Sequence, residues 1–422
     1  MLDIRFIREN KDLIQMAARK KHLSFDVDML LEYDDKRKAL LQVVEEKRAK
    51  QNEVGQKIAQ ASPEQKQSIL AEMTLLKSEL QKEEEQLKDV MTDWRKLMLA
   101  CPNIPDMSVP EGKDDSENVE VRTWGDIPKF DFEPKGHIEL MNDLDLADFE
   151  RGTKIAGFRG YILKNEGALL QQAVLQFTFN HMVAKGFTPM IVPSLVRKET
   201  LMGTGYLPQG EEDLYKTQDD EYLAGTGEVS TMSYYSDEIL KKDQLPVKFI
   251  SFSPCFRREA GSHGKQTKGL YRVHEFYKLE QVVLCEASHE ESVKHHEELT
   301  NNAEEVLQAL NLPYRVVVNC GGDLGLGQVK KYDIEAWIPS EERYGETHSS
   351  SYFHDFQTRR LNIRYTDSDN KNKLVHSLNN TAIALPRVLI QIIENNQNAD
   401  GSITVPPALR PYMNGLEKII KK

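Results

Sequence analysis

The sequence predicts an α+β protein in two parts. A long helical arm comes first, and a larger domain built on an antiparallel sheet with flanking helices follows. Two observations carry this. Between Leu30 and Leu99 glycine is almost absent, and apolar residues recur every three or four positions. Between Phe249 and Val283 two aromatic, β-rich runs flank a polar loop, the pattern of a hairpin.

A chain of 422 residues suits two domains. The net charge of −12 excludes a generally basic nucleic-acid coat, so any nucleic acid must be met by a local patch. Cys101, Cys255, Cys285 and Cys320 are scattered and form no Cys-x-x-Cys pair. That speaks against a zinc site or a disulfide framework and for a reducing compartment. No apolar run of about 18 residues is present, so no membrane span is expected. The first residues are charged throughout and lack a signal core, so a cytoplasmic location is expected.

The arm is expected over about 28–100, within an N-terminal domain of 1–105. In its second half Ile69, Met73, Leu76, Leu80, Glu83, Leu87, Val90, Trp94 and Leu97 form a heptad seam that only Glu83 breaks. The first half carries a looser seam of Leu30, Tyr33, Leu40, Val44, Val54, Ile58 and Ala61, interrupted by Arg37, Lys47 and Gln51. Ser62-Pro63-Glu64 marks a helix start. Helices joined by so short a turn run antiparallel. Residues 69–97 span about 42 Å at 1.5 Å per residue. An arm already paired with itself offers a long outer surface. Lys47, Arg48, Lys50 and Lys57 cluster there and suit phosphate contacts.

Residues 102–121 read as a proline-bearing linker into a domain of 106–422. Helices are expected over 140–155 and 167–185, the second ending at Gly186. The strand 187–193 follows, closed by Pro193. In the hairpin of about 249–280, Arg257 and Glu259 are two residues apart, and alternation sends them to one side of their strand. A cation and an anion held side by side suit recognition of a phosphate and a polar base. The loop 260–269 holds three glycines, two lysines and a histidine and is expected to be flexible and cationic.

Phe256-Arg257-x-Glu259, the loop, and Arg272-x-x-x-Phe276 resemble motif 2 of the class II aminoacyl-tRNA synthetases, and the loop 259–270 is most similar to that of seryl-tRNA synthetases. The helix, glycine, strand and Pro193 of about 173–193 resemble motif 1, the dimer interface. Leu378-Asn379-Asn380-Thr381 through Pro386-Arg387 resembles motif 3, about 378–396. Thr204-Gly205-Tyr206-Leu207-Pro208, Thr226-Gly227-Glu228 and Glu346-Thr347-His348-Ser349 also match family segments, as does an arm placed before the core. The run Gly321–Gly327 is a turn in this reading, not a dinucleotide loop.

The resemblance implies a class II antiparallel core and a homodimer. It implies ATP and Mg2+ as cofactors, L-serine and tRNA(Ser) as substrates, and tRNA(Sec) as a further one. Arg257 is implied to grip the α-phosphate and the serine carboxylate, Glu259 the adenine amino group, and Phe276 the adenine face. Arg272 and Arg387 are implied to hold the outer phosphates. Glu346 would bind Mg2+ on ATP, with Ser349 beside it. Thr226, Glu228, Glu280, Asn379 and Thr381 are implied to line the serine pocket. The arm is implied to reach the tRNA variable arm. Gly345 stands where the family usually has arginine, His348 where it has serine, and Asn380 where many members have glycine. Gly227 stands where alanine is usual. These departures leave open a paralogue with altered amino-acid or acceptor specificity.

Overall fold

The computed structural model describes residues 1–260 and 269–422. Most of the loop expected between the motif 2 strands therefore lies outside the described residues. The chain divides into two units, Met1–Pro102 and Asn103–Lys422.

Two short helices, Ile4–Glu9 and Lys11–Lys20, open the first unit, and the long helices Val27–Gln60 and Pro63–Ala100 complete it. Asp26 caps the first long helix, its carboxylate accepting from the amides of Asp28 at 2.8 Å and Met29 at 3.2 Å. Pro63 begins the second, where its missing N–H costs nothing, and the Ser62 amide donates to Gln65 Oε1 at 3.2 Å. Val44, Leu80 and Leu87 close the seam between the two helices, with Leu40 against them. Each such side chain taken from water contributes about 1.5–3 kcal/mol.

Arg37 does not simply interrupt the seam. Its guanidinium lies 4.7 Å from the Trp94 ring and 2.8 Å from Asp34, a fully buried carboxylate also held by Arg8 and Lys38. The basic cluster is paired as well. Lys47 reaches Glu79 at 3.3 Å, Arg48 reaches Glu84 at 2.7 Å, Lys50 reaches Glu72 at 3.7 Å and Lys57 reaches Glu53 at 2.7 Å. Pairing across the two helices, invisible in a linear reading, places a glutamate beside Lys47, Arg48 and Lys50, while Lys57 pairs with Glu53 one turn earlier on its own helix. Among the described residues no helix is long and apolar enough to cross a membrane.

The second unit is organised on eight strands: β1 (Val119–Trp124), β2 (Thr188–Ile191), β3 (Val247–Phe256), β4 (Glu275–Cys285), β5 (Tyr314–Val318), β6 (Lys330–Ile338), β7 (Arg343–His354) and β8 (His376–Leu385). Their order across the sheet is β1-β5-β6-β7-β8-β4-β3-β2, antiparallel except for the parallel β2–β3 edge pair. Helices Asn165–Ala184, His289–Ala309 and Arg387–Asn395 contribute Leu170, Val174, Leu299, Val306, Leu389 and Ile393 to the main core. β2 is the sheet edge, and Ile191 on it is 83% exposed.

The helix expected over 140–155 is two helices, His137–Asp143 and Phe149–Ala156. Asp145 between them takes φ 57, and Leu146 is drawn into a backbone bond with Lys164. That tertiary bond overrides local helix propensity. The glycine run is a short 3-10 turn, Gly321–Asp323.

Candidate active site

The β3–β4 hairpin supplies one wall of the site. β3 ends at Phe256, and Glu259 takes φ 55. Simple strand alternation therefore does not place Arg257 and Glu259. The chain turns out of the sheet instead, and both residues still line one cavity. Arg257 is fixed by its backbone, whose amide donates to His274 O at 3.0 Å, and by its Nε, which donates to Gly225 O at 3.2 Å. Its guanidinium lies 5.4 Å from the Phe276 ring. Arg272 donates to Glu259 at 3.0 Å and is not among the cavity-lining residues.

On β4 alternate residues share a face, so Phe276, Lys278 and Glu280 all look into the cavity. Lys278 was missed by the motif reading, although its place between two chosen positions two residues apart was signal enough. Asn379 and Thr381 join them from β8 and are mid-strand. Asn380 lies between these two and does not line the cavity. It accepts from Gln281 at 2.7 Å, and Gln281 accepts from Asn302 at 2.9 Å. Its side chain therefore lies away from the pocket.

Glu346 and Ser349 are three apart on β7, a spacing that should send them to opposite faces. A bulge corrects this: Ile334 pairs with His348 while Glu335 pairs with Glu346, so β7 carries one extra residue. Glu346, Thr347 and Ser349 consequently all line the cavity. His348 is buried, and its ring bridges Thr347 Oγ1 at 2.7 Å and the Ala382 carbonyl at 3.1 Å. Burial pulls its pKa down to about 4, so it is a neutral tie between β7 and β8.

The cavity, of about 390 Å³, has two electrostatic ends. At one, Arg387 Nη1 donates to Glu346 O at 3.0 Å and lies 3.5 Å from its carboxylate. Burial would push the Glu346 carboxyl up, but Arg387, Lys331 and Arg257 pull it below its ordinary value. At the other end stand two carboxylates. Glu228 accepts from Tyr206 at 2.7 Å and from Gln357 at 2.7 Å, and Ser377 donates to Gln357 at 2.8 Å. Glu280 lies 2.6 Å from Lys278 and accepts from Thr381 at 3.4 Å. Burial raises both carboxyls, and Glu280 raises Glu228 further.

Thr226 is buried and does not line the cavity. Its hydroxyl accepts from the Glu228 amide at 3.2 Å, so it shapes the turn that presents Glu228. A Cβ on Gly227 would come 3.0 Å from Ser251 Oγ and 3.1 Å from Ser253 Oγ. Glycine here permits close packing of that turn on β3. Tyr206 lies in a segment that matches the family, but neither its pairing with Glu228 nor that of Gln357 carried a local signal, because only the fold brings them together.

The Mg2+ implied by the resemblance has a fitting oxygen set. Glu346 is held ionised by its cationic neighbours, and the Ser349 hydroxyl lines the same cavity. Among the described residues no cluster of three or more His, Cys, Asp or Glu side chains forms a metal cage. One carboxylate sharing the ion with a phosphate ligand is the usual Mg2+ arrangement.

Residues 214–396 match the family described as tRNA synthetase class II core domain (G, H, P, S and T). The antiparallel platform with its arginine-lined cavity is that of a class II aminoacyl-tRNA synthetase. Residues 1–105 match the seryl-tRNA synthetase N-terminal domain. The chain is 48% identical to a serine–tRNA ligase of Deinococcus radiodurans over 418 residues, 99% of this chain and 98% of the relative. Its fold matches the seryl-tRNA synthetase of Pyrococcus horikoshii complexed with ATP, with a TM-score of 0.89, 37% identity and full coverage of both chains. It also matches the cytoplasmic serine–tRNA ligase of Naegleria fowleri in complex with AMP, with a TM-score of 0.85, 30% identity, and coverage of 100% and 99%. The chain belongs to the seryl-tRNA synthetase family.

Proposed function

We propose that the protein activates L-serine with ATP to seryl-adenylate and transfers the seryl group to tRNA(Ser). The observation that carries this is one cavity lined both by Arg387 and Glu346 and by Glu228, Lys278 and Glu280, with Arg257 acting on both Glu346 and Glu280. The serine carboxylate attacks the α-phosphorus and pyrophosphate leaves. The nucleophile is already an anion, so no protein base is required. The protein's work is to orient the reactants and to meet negative charge on the phosphates.

Arg257 is positioned to bridge the attacking carboxylate and the α-phosphate, and Arg387 to take the outer phosphates. Phe276 offers its face to the base and Glu259 an acceptor to its amino group. Arg272 acts through Glu259 or from the loop side on the outer phosphates. Glu228 is the anion for the substrate ammonium. Glu280, neutralised by Lys278, is the acceptor for the serine hydroxyl, and Asn379 and Thr381 complete that pocket. Mg2+, held by Glu346 with Ser349, would supply positive charge at the phosphates.

The same reading makes the arm the contact for tRNA(Ser) and for tRNA(Sec), through its backbone-facing polar surface. It makes β2 and the Asn165–Ala184 helix a homodimer interface, consistent with exposed Ile191, Leu169 and Val183. We place the reaction in the cytoplasm; the four scattered cysteines, with no Cys-x-x-Cys pair, agree with a reducing compartment.

ATP–pyrophosphate exchange across an amino-acid panel tests the proposal. Exchange with serine, followed by charging of tRNA(Ser), is the expected result. Exchange with threonine or proline and not with serine would overturn it.

A further inference from the structure

Gly345 carries no side chain, and its neighbour Tyr271 fills the space. A Cβ on Gly345 would lie 2.7 Å from Ile338 Cδ1, 3.1 Å from Tyr271 Cε2 and 3.2 Å from the Tyr271 hydroxyl oxygen. The Tyr271 ring lies near two guanidinium groups, its centroid 4.5 Å from Arg387 Cζ and 5.6 Å from Arg343 Cζ. Three hydrogen bonds lock the same group. Arg387 Nε donates to Tyr271 O at 3.2 Å, Arg387 Nη1 donates to Glu346 O at 3.0 Å, and the Tyr271 hydroxyl donates to Glu346 O at 3.4 Å. Tyr271 lines the cavity beside Arg387 and Glu346.

We propose that Tyr271 is a positioning residue for the triphosphate end of the site, and that glycine at 345 exists to admit its ring. The inference rests on the reading above, in which Arg387 receives a phosphate. An arginine has many rotamers, and ordering it before the ligand arrives removes that cost from binding. An aromatic face attracts the guanidinium while leaving the N–H edge of the fork directed at an oxyanion. Arg343, itself tied to Glu341 and Tyr344 O, is a second guanidinium near the ring, 5.6 Å from its centroid. The carboxylate end of the cavity is built from β4, β8 and Glu228, so disturbing Tyr271 should divide its effect by substrate.

The test is ATP–pyrophosphate exchange on the full chain, with KM measured separately for ATP and for serine. Wild-type protein is assayed first; absence of serine-dependent exchange there would refute the functional reading rather than this inference. Tyr271→Ala is expected to raise the KM for ATP about tenfold and leave that for serine within about twofold. Tyr271→Phe keeps the stack and is expected to restore the ATP KM to within about twofold of wild type. Gly345→Leu displaces the ring without removing it and should reproduce the alanine phenotype. The double variant Tyr271→Ala/Gly345→Leu should be no worse than either single change. An unchanged ATP KM in Tyr271→Ala overturns the inference, as does an equal rise in both KM values or full additivity in the double variant. If Gly345→Leu does not fold, the alanine and phenylalanine variants decide the matter alone.

Discussion

Lys278→Met removes the cation from a buried pair and tests the division of labour between the two carboxylates. Lys278 Nζ lies 2.6 Å from Glu280 Oε2, and the two side chains are 6% and 3% exposed. Burial already raises Glu280; Lys278 and Arg257 draw it back. Breaking a buried pair by removing one partner costs about 3–5 kcal/mol. Methionine keeps most of the stem volume, and the cavity admits water, so the low end of about 3 kcal/mol applies. That is a loss of folding stability; the serine KM should rise separately, by about tenfold or more, as loss of one hydrogen bond to a charged group does.

The pH dependence has two opposite signs. Without Lys278 the folded pKa of Glu280 climbs further above its unfolded value. The carboxylate is then protonated over a wider window, so the variant's serine KM should improve as pH rises through the raised pKa. Stability should move the other way. A carboxyl with a raised folded pKa contributes stability below its unfolded pKa and loses it as pH rises through the folded one. Exchange kinetics and thermal unfolding followed upward from the ordinary carboxyl pKa read both effects. Adding Glu280→Gln should recover part of the lost stability by removing the stranded charge. A serine KM within about twofold of wild type at every pH would refute the reasoning.

Four further outcomes follow from the same geometry. Arg257→Ala should lower serine-dependent exchange by about 100- to 1,000-fold, as loss of a transition-state charge contact does, and exchange at the wild-type rate would remove Arg257 from the phosphate role. In the arm, burial would raise Asp34, but Lys38, Arg37 and Arg8 hold it down at about 2. Its contribution of about 2 kcal/mol is present above its unfolded pKa and is lost as pH falls toward 2; Asp34→Asn should remove that acid dependence from the helical circular dichroism signal. Ile191→Asp should convert the sedimenting species from dimer to monomer. Chelation of Mg2+ should abolish exchange, and restoring the ion should recover it.

The heptad seam, the proline start of the second arm helix and the two flanking strands of motif 2 were legible because each is set by neighbours in sequence. Pairings set by the fold were not. Lys47, Arg48, Lys50 and Lys57 read as a cationic cluster with only Glu53 among them, yet each meets a glutamate. Three of those glutamates come from the opposite helix. The break at Asp145 depends on a backbone bond to Lys164. Within the site, period-two alternation was underused. It would have added Lys278 to Phe276 and Glu280, and it would have turned Asn380 away from Asn379 and Thr381. It was also overused at Arg257 and Glu259, which lie past the strand end. The Glu346–Ser349 pair obeys a bulge that no linear pattern announces.

Calorimetric binding of a non-hydrolysable seryl-adenylate analogue tests the central claim most directly, because it loads both ends of the cavity at once. The analogue should bind at least about 100-fold tighter than serine or AMP alone, and Arg257→Ala or Lys278→Met should each erase most of that advantage. Binding no tighter than AMP, or binding that neither substitution weakens, would contradict a single cavity joining the two substrates.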